Sequence, residues 1–236
     1  REIYGLVLSE LGEEYPEIVG LSADLAKSTK IGTFGDKFPE RFFNFGIAEQ
    51  NMFGVAAGFA KAGLIPFVST FSVFASLRAA EFLRTDCCYQ NLNVKVIATH
   101  GGTSFGSAGS THHATEDLSI VRAFANLVVI VPADAVETAH AVRACMQIPG
   151  PVYIRIGRGF EPRIYESFDY EYQVGKAVEM HPGTDITVIA CGATVYHAVQ
   201  AARILKQDDG LSVRVLNMHT IKPIDEEAIM RAVTET

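Results

Sequence analysis

Cysteine is scarce in this sequence, and its spacing fits neither of its usual structural roles. The 236 residues include four cysteines: Cys87, Cys88, Cys145 and Cys191. Two of them are adjacent and no pair has the C-x-x-C spacing, so the sequence predicts neither a disulfide framework nor a zinc site. This usage favours a reducing, cytoplasmic setting.

Long hydrophobic runs and an excess of positive charge are also missing. The most apolar stretch, residues 62–77, is interrupted by Pro66 and closed by Arg78, and it falls short of the ~20 apolar residues that a membrane span needs. The net charge is −7 and the pI is about 5.5. This balance gives no electrostatic support for a nucleic-acid or anionic-membrane partner, so we expect neither.

What the sequence does contain is a regular alternation of strand-length apolar runs and helix-length segments. The predicted strands are residues 18–21, 41–45, 66–70, 95–99, 128–131 and 151–156. The predicted helices between them are residues 3–14, 48–61, 77–86, 117–126 and 136–146. Near-continuous β-branched runs such as VVIV are typical of a parallel sheet that is covered on both faces. The alternation therefore predicts a doubly wound, mostly parallel α/β fold.

The alternation is interrupted once, which suggests two domains. We predict a first domain over residues 1–160, a linker over 161–183 and the beginning of a second α/β domain over 184–236. The second segment has a βαβα pattern without a return strand, and the chain starts without Met. We therefore expect the natural polypeptide to extend beyond the given sequence.

The first of three unusual strand-to-helix corners contains Glu49. In RFFNFGIAEQNMFGVAAGFAKAG, a strand ends near Phe45, Gly46 makes the turn, and Glu49 falls in the first turn of an apolar helix. A buried carboxyl at such a corner is a candidate for acid–base work. The structural alternative is a negative charge placed favourably at the N-terminus of a helix.

The second corner follows the predicted strand 95–99. It presents His100, and a loop rich in glycine then leads to His112. Histidines on such a loop could donate a hydrogen bond to a sugar hydroxyl or move a proton near neutral pH. The spacing does not favour a metal site. The alternative is a flexible surface loop with solvated histidines.

The third corner is the segment PVYIRIGRGF. Arg158 lies between two glycines just after a strand and could bind an anion with two parallel hydrogen bonds. A solvated arginine at the end of a strand explains the same pattern equally well.

Several motifs that occur in a fixed order identify a family that these corners resemble. They are the run FGIAEQNMFGVAAGFAKAG, the segments LSADLAKS and STFSVF, the spacing from His100 to His112, and the turn IGRG. Together they resemble the pyrimidine-binding domain of transketolases, which bind thiamine diphosphate. The resemblance covers nearly the whole chain, including the start of the C-terminal domain of that family.

The resemblance implies a set of cofactor-binding residues. Glu49 would contact N1′ of the aminopyrimidine ring and promote its imino form, as a catalytic residue. Phe74 would stack on the ring with Phe71 beside it, although ordinary core packing explains both residues as well. Asp24 and Leu25 would border the cofactor; their alternative is a strand end and a helix cap.

The resemblance also implies a substrate site. Arg1, Ser28 and Arg158 would bind the anionic group of a sugar phosphate. His100 would contact the hydroxyls of the donor as a second catalytic residue, with His112 nearby. The substrate would be a ketose phosphate that gives up a two-carbon ketol unit to an aldose.

Three positions depart from the family pattern. The stretch DGPTH of the family reads AGSTH here, with Ala108 in place of Asp and Ser110 in place of Pro. Leu77 replaces an aromatic residue that is common in the family. Because that aspartate is associated with reading donor hydroxyls, our hypothesis is a non-standard donor, such as a branched or sulfonated ketose.

The motif that grips Mg²⁺ and the diphosphate, GDG followed downstream by Asn, does not occur in the chain. The resemblance therefore implies that a partner subunit carries the N-terminal half and the Mg²⁺ ligands, most simply in an α2β2 assembly. The competing explanation is that this sequence is half of one long polypeptide.

Other functions fit parts of the sequence. The β subunit of a 2-oxoacid dehydrogenase shares the fold and the glutamate, but Arg158 and the ADLAKS segment favour a sugar phosphate. Deoxyxylulose phosphate synthase is another relative, which keeps both domains in one chain. A catalytically silent binding module could retain Glu49 and remains open. A plain nucleotide-binding domain is disfavoured because neither G-x-G-x-x-G nor a P-loop is found.

Overall fold

The computed structural model of the chain describes residues 1–159 and 161–236. Phe160, the last residue of the predicted first domain, lies outside the described residues. The helices up to residue 144 are α1 Glu2–Glu14, α2 Ala26–Thr29, α3 Gly32–Lys37, α4 Glu49–Lys61, α5 Ala80–Phe82, α6 Asp117–Arg122 and α7 Ala135–Ala144. The strands up to residue 155 are β1 Ile18–Ser22, β2 Phe42–Asn44, β3 Ile65–Phe71, β4 Lys95–Thr99, β5 Val128–Ile130 and β6 Val152–Arg155.

These six strands form one parallel sheet, which confirms the predicted doubly wound α/β fold. Its order is β5-β6-β4-β3-β1-β2. Every residue of β1 and β4 is buried, because separate apolar clusters cover the two faces of the sheet. Buried faces on both sides explain why these strands are apolar without alternation.

The segment after β3 differs from the single helix predicted over residues 77–86. Two wide π-helical turns, Phe74–Arg78 and Leu83–Cys88, flank the short helix α5. The amide of Ala79 donates to the carbonyl oxygen of Phe74, five residues back, at 3.0 Å. Such π turns change the direction in which side chains leave the helix and often lie at functional sites. Here the first turn carries Phe74 and Arg78.

The second part of the chain forms a smaller sheet. Its elements are β7 Val178–His181, β8 Ile186–Ala190, α8 Thr194–Asp208, β9 Val213–Asn217 and α9 Glu226–Glu235. The strand order is β7-β9-β8, with β8 parallel and β7 antiparallel to β9. Strand β7 lies inside residues 161–183, the segment predicted to be a linker.

The first sheet has a seventh strand from the later part of the chain. Strand β10, Thr220–Lys222, follows β9 in the sequence and pairs antiparallel with β5, as the outermost strand of the first sheet. This strand was not predicted from the sequence. Ile221 also packs against the apolar cluster of the first sheet, so residues near the C-terminal end of the chain complete the first sheet.

A buried glutamate at the start of α7 joins the two parts. The carboxylate of Glu137 accepts hydrogen bonds from the Asn217 amide at 2.8 and 3.0 Å, from the Tyr165 hydroxyl at 2.9 Å and from the Ala133 amide at 2.6 Å. Asn217 ends β9 and Tyr165 follows the first domain. Burial raises the pKa of the Glu137 carboxyl above its ordinary value. We call these residues the junction network.

Within residues 1–159 and 161–236, no helix combines the length and the apolar character that a membrane crossing demands.

Candidate functional site

A cleft opens where the parallel strands β1, β2 and β3 end. Its volume is about 390 Å³. The residues that line it are Ala23, Asp24, Leu25, Ile47, Glu49, Phe71, Phe74, Arg78, Thr111 and His112. The carboxyl edge of a parallel sheet is where α/β folds usually bind ligands, because the loops that can carry polar groups meet there. The five residues predicted to touch a cofactor all lie in this cleft.

Two of the predicted site residues have a backbone conformation that is unusual outside glycine. The φ angles of Asp24 and His100 are 59° and 61°. A left-handed conformation costs energy for a residue with a Cβ atom and persists only where surrounding contacts hold it. For Asp24, its amide donates to the Asn44 side-chain oxygen at 2.9 Å. Leu25 is held in turn by a bond from its amide to the Ser22 hydroxyl at 3.2 Å.

Glu49 is the first residue of α4 and lies at the floor of the cleft. Only 1% of its surface is exposed. One carboxylate oxygen accepts a hydrogen bond from the Thr70 hydroxyl at 3.2 Å, and the other accepts one from Nη1 of Arg78 at 2.8 Å. The carboxylate therefore has one protein partner for each oxygen and faces a cleft with lone pairs to spare.

Arg78 is a member of the site that the sequence analysis used only as the end of an apolar run. Its guanidinium carbon lies 4.3 Å from the centroid of the Phe74 ring, and 38% of its side chain is exposed. The spacing of four residues between Phe74 and Arg78 was a signal that both side chains share one side of a helical turn. Their common contact with Glu49, far away in the sequence, had no local signal.

The predicted histidine loop brings five rings together beside the cleft. The ring centroids of Phe71 and His100 are 4.0 Å apart, and those of Phe74 and His112 are 5.4 Å apart. Phe105 joins the two pairs, with its centroid 4.7 Å from that of His100 and 5.6 Å from that of His112. Phe105 was not among the predicted site residues, although an aromatic residue within a glycine-rich loop is a signal that the loop packs inward.

His100 is buried at the end of β4, which contradicts a solvated surface histidine. Its Nδ1 lies 2.9 Å from the Thr99 hydroxyl. Burial, and then the positive charges of Arg1 and Arg158, lower the pKa of His100 to about 3. The imidazole is therefore neutral at physiological pH, and it can donate a hydrogen bond from one nitrogen and accept one at the other.

The three residues predicted to bind an anion lie near one another. Nη1 of Arg1 donates to the carbonyl oxygen of Ser28 at 2.6 Å, so Ser28 holds Arg1 through its backbone. The guanidinium of Arg158 lies 5.2 Å from the Phe105 centroid, and its amide donates to the Ser104 hydroxyl at 3.1 Å. These contacts put positive charge on the His100 side of the ring cluster.

An ion pair that was not predicted from the sequence supports the histidine loop. Nε and Nη2 of Arg155 donate to the two carboxylate oxygens of Asp117 at 2.9 and 3.2 Å, and Nη2 also donates to the Ala114 carbonyl at 3.1 Å. A Cβ atom on Gly101 would come within 2.4 Å of Arg155 Nε. A side chain at position 101 would therefore displace the arginine that braces the loop.

The positions that depart from the family pattern lie around this site. Ala108 and Ser110 belong to two short 3₁₀ turns between Phe105 and His113. Leu77 belongs to the first π turn and is 45% exposed. Residues 1–159 and 161–236 contain no group of three or more His, Cys, Asp and Glu side chains that could bind a metal ion.

Comparison with known families agrees with this geometry. Residues 1–161 match the family model described as "Transketolase, pyrimidine binding domain", and residues 175–236 match "Transketolase, C-terminal domain".

Individual relatives match over the full length of the chain. An apulose-4-phosphate transketolase subunit of Phocaeicola vulgatus is 39% identical over 236 residues, which are 100% of this chain and 75% of that protein. The 6-deoxy-6-sulfo-D-fructose transketolase subunit SqwH of Clostridium sp. strain MSTE9 is 38% identical over 236 residues, which are 100% of this chain and 73% of that protein.

A solved structure is similar as well. It is described as a split gene transketolase in an inactive beta4 tetramer, and it superposes with a TM-score of 0.91 at 47% identity, covering 100% of this chain and 76% of that chain. These matches confirm the family that the ordered motifs indicated. The chain belongs to the transketolase family, and its two matched domains are those of the C-terminal half.

Proposed function

We propose that the chain is a subunit of a thiamine diphosphate-dependent transketolase, which transfers a two-carbon ketol unit from an anionic ketose to an aldose. The observation that carries this proposal is Glu49, a carboxylate with 1% exposure at the floor of a cleft that an aromatic ring, Phe74, also lines. A carboxyl group beside an aromatic ring offers the two contacts that an aminopyrimidine needs, a hydrogen bond to a ring nitrogen and a stacking surface. The family match supports the same cofactor.

The lining of the cleft fits this cofactor. Glu49 retains hydrogen-bonding capacity toward the cleft, and the Leu25 and Phe71 side chains supply apolar contact. When bound, thiamine diphosphate supplies a carbon nucleophile, and the protein supplies geometry and proton bias. Glu49 would hold a proton at the ring nitrogen, and Phe74 and Leu25 would orient the ring and exclude water.

The substrate would bind beyond the ring cluster. Neutral His100 would donate a hydrogen bond to a donor hydroxyl, with His112 beside it, and Arg1 and Arg158 would bind the phosphate or sulfonate. Guanidinium groups suit such oxyanions because their N–H groups can bind two oxygens at once. The nearby positive charges also favour the neutral state of His100.

The donor would be a branched or sulfonated ketose. In the loop that carries His112, Ala108 and Ser110 stand where the family has an aspartate and a proline. The side chain of Ala108 cannot accept a hydrogen bond from a donor hydroxyl. The names of two relatives support this class: one acts on apulose 4-phosphate and the other on 6-deoxy-6-sulfo-D-fructose.

A partner subunit would complete the active site. The described residues contain no cluster suited to a metal ion, and the chain lacks the GDG motif. The Mg²⁺ and diphosphate ligands would therefore come from an N-terminal-half subunit, most simply in an α2β2 assembly. The similar structure described as an inactive beta4 tetramer of a split gene transketolase supports the need for such a partner.

Reconstitution tests this proposal. The full chain would be copurified with its partner subunit, supplied with thiamine diphosphate and Mg²⁺, and assayed with branched, sulfonated and ordinary ketose donors. We expect ketol transfer only from the assembled complex, with a preference for a branched or sulfonated donor. Preference for xylulose 5-phosphate would refute the donor class, and decarboxylation of a 2-oxoacid without ketol transfer would refute the proposed reaction.

A further inference from the structure

Arg78 makes two contacts in the cleft, and each is with a residue assigned to the coenzyme. Its Nη1 donates to Oε2 of Glu49 at 2.8 Å. Its guanidinium group lies over the Phe74 ring, with 4.3 Å between the guanidinium carbon and the ring centroid. A planar, nitrogen-rich cation thus donates to the carboxylate and covers the aromatic ring at once.

An aminopyrimidine would require the same two partners. It too is a planar, nitrogen-rich group that would bond to Glu49 and stack on Phe74. Arg78 already takes up the place of such a ring: it donates to Oε2 of Glu49, while Thr70 donates to Oε1, and it lies over the Phe74 ring. Arg78 is therefore positioned to compete with the ring rather than to add to its binding.

Glu49 and Arg78 differ in their freedom to move, and this difference decides which of the two side chains leaves the contact. Glu49 has 1% of its side chain exposed and is fixed in the first turn of α4, whereas Arg78 has 38% exposed and lies on the surface side of the cleft. An exposed arginine can turn into water at little cost. Displacement would therefore move Arg78 and leave Glu49 in place.

We propose that Arg78 is a positioning residue that holds Glu49 and Phe74 in the coenzyme-free subunit and is exchanged for the aminopyrimidine when the coenzyme binds. This inference rests on the proposed function.

The other ionisable groups at the cleft do not replace Arg78 as the partner of Glu49. Asp24, from the end of β1, and His112, from the histidine loop, line the same cleft. The hydrogen-bond partners of Asp24 and His112 are Asn44 and Thr111 respectively. Arg78 is therefore the cationic partner of Glu49 in the cleft.

Calorimetry on the assembled complex tests the exchange. Thiamine diphosphate with Mg²⁺ would be titrated into complexes of the full chain and its partner to measure the affinity. Arg78→Met should bind the coenzyme roughly tenfold more tightly, the size expected from the loss of one exposed ion pair and one cation–π contact.

Two variants control the experiment. Arg78→Lys keeps the positive charge and should bind the coenzyme less tightly than Arg78→Met does. Arg84→Met removes an exposed arginine from the following π turn, outside the cleft, and should bind as the wild type does. Thermal unfolding of each complex would check that the variants are folded.

The outcomes separate this inference from the proposed function. Wild-type coenzyme binding, with an Arg78→Met affinity at or below that of the wild type, would overturn the exchange alone. A folded wild-type complex that binds no thiamine diphosphate would overturn both. Tighter binding in Arg78→Met, and not in the two controls, is the expected result.

Discussion

Two glutamates in this protein share nearly the same position in their helices and have opposite surroundings. Glu49 is the first residue of α4 and Glu137 lies in the first turn of α7. Their exposures are 1% and 0%. The N-terminus of a helix favours a carboxylate in both cases, so sequence position alone does not distinguish their roles.

The partners distinguish them. Glu137 accepts four close hydrogen bonds, from Ala133, Tyr165 and twice from Asn217, and these join two domains. Glu49 has one bond to each oxygen, and one of these comes from a half-exposed arginine. A buried carboxylate that is saturated by its own fold stabilises structure, whereas one that keeps free lone pairs toward a cleft is available to a ligand.

The largest expected difference between Glu49 and Glu137 is in their effect on turnover. Glu49→Gln keeps the size and the hydrogen-bond acceptor of the side chain but cannot transfer a proton. We expect turnover of the assembled complex to fall by about 10²- to 10⁴-fold, the usual contribution of a positioned acid or base. Steady-state assays at saturating coenzyme measure this, with Glu137→Gln as the matched control. Turnover near the wild-type value would remove Glu49 from the chemistry.

The complementary effect is on stability. Glu137→Ala leaves the Asn217 amide and the Tyr165 hydroxyl without their buried acceptor, so we expect a loss of about 2–4 kcal/mol in the free energy of unfolding. Denaturant midpoints measure the loss, with exposed Glu81→Ala as the control. Equal stability of the two variants would show that the junction network does not hold the domains together.

The contributions of His100 and Glu137 to the free energy of unfolding should change with pH in opposite directions. The folded-state pKa of His100 is lowered from 6.5 to about 3. Its contribution to stability is therefore complete above pH 6.5 and is lost as the pH falls, by up to about 1.4 kcal/mol per pH unit. The pKa of Glu137 is raised by burial, so its contribution is complete below its ordinary pKa and is lost as the pH rises through the folded value.

Stability measured against pH in the two single variants tests these signs. His100→Asn should flatten the loss of stability between pH 6.5 and 3, and Glu137→Gln should flatten the loss above the ordinary pKa of a glutamate. A slope that is unchanged in either variant would contradict the assigned cause.

The smallest effects come from single hydroxyls. Tyr165→Phe removes one bond to Glu137, and Thr70→Val removes one bond to Glu49. We expect each to cost about 1 kcal/mol of stability, but only Thr70→Val should change turnover. A change in turnover from Tyr165→Phe of the same size would show that the junction network reaches the active site.

The sequence was informative where structure is local. Strands β1, β3 and β4 and the helix of Glu49 were predicted within a residue or two, because continuous burial produces long apolar runs. The pairing of Glu49 with Arg78 spans 29 positions and the bridge from Glu137 to Asn217 spans 80. No local pattern encodes such contacts, so the sequence predicted the acid of the site and not its cation.

Short elements escaped for a related reason. Strand β10 has three residues, and its pairing with β5 depends on a partner about 90 positions earlier, so neither its length nor its composition marks it as a strand. The π turns after β3 were read as one helix, because an i→i+5 turn retains nearly helical periodicity.

Strand β10 also has a consequence for synthesis of the protein. While the ribosome is still translating the second domain, β5 lacks its neighbour and presents an unpaired apolar edge. That edge stays open until residues 220–222 have left the exit tunnel, long after the rest of the first sheet is available to fold. Molecular chaperones that shield strand edges would therefore act on this chain in the interval before residues 220–222 emerge.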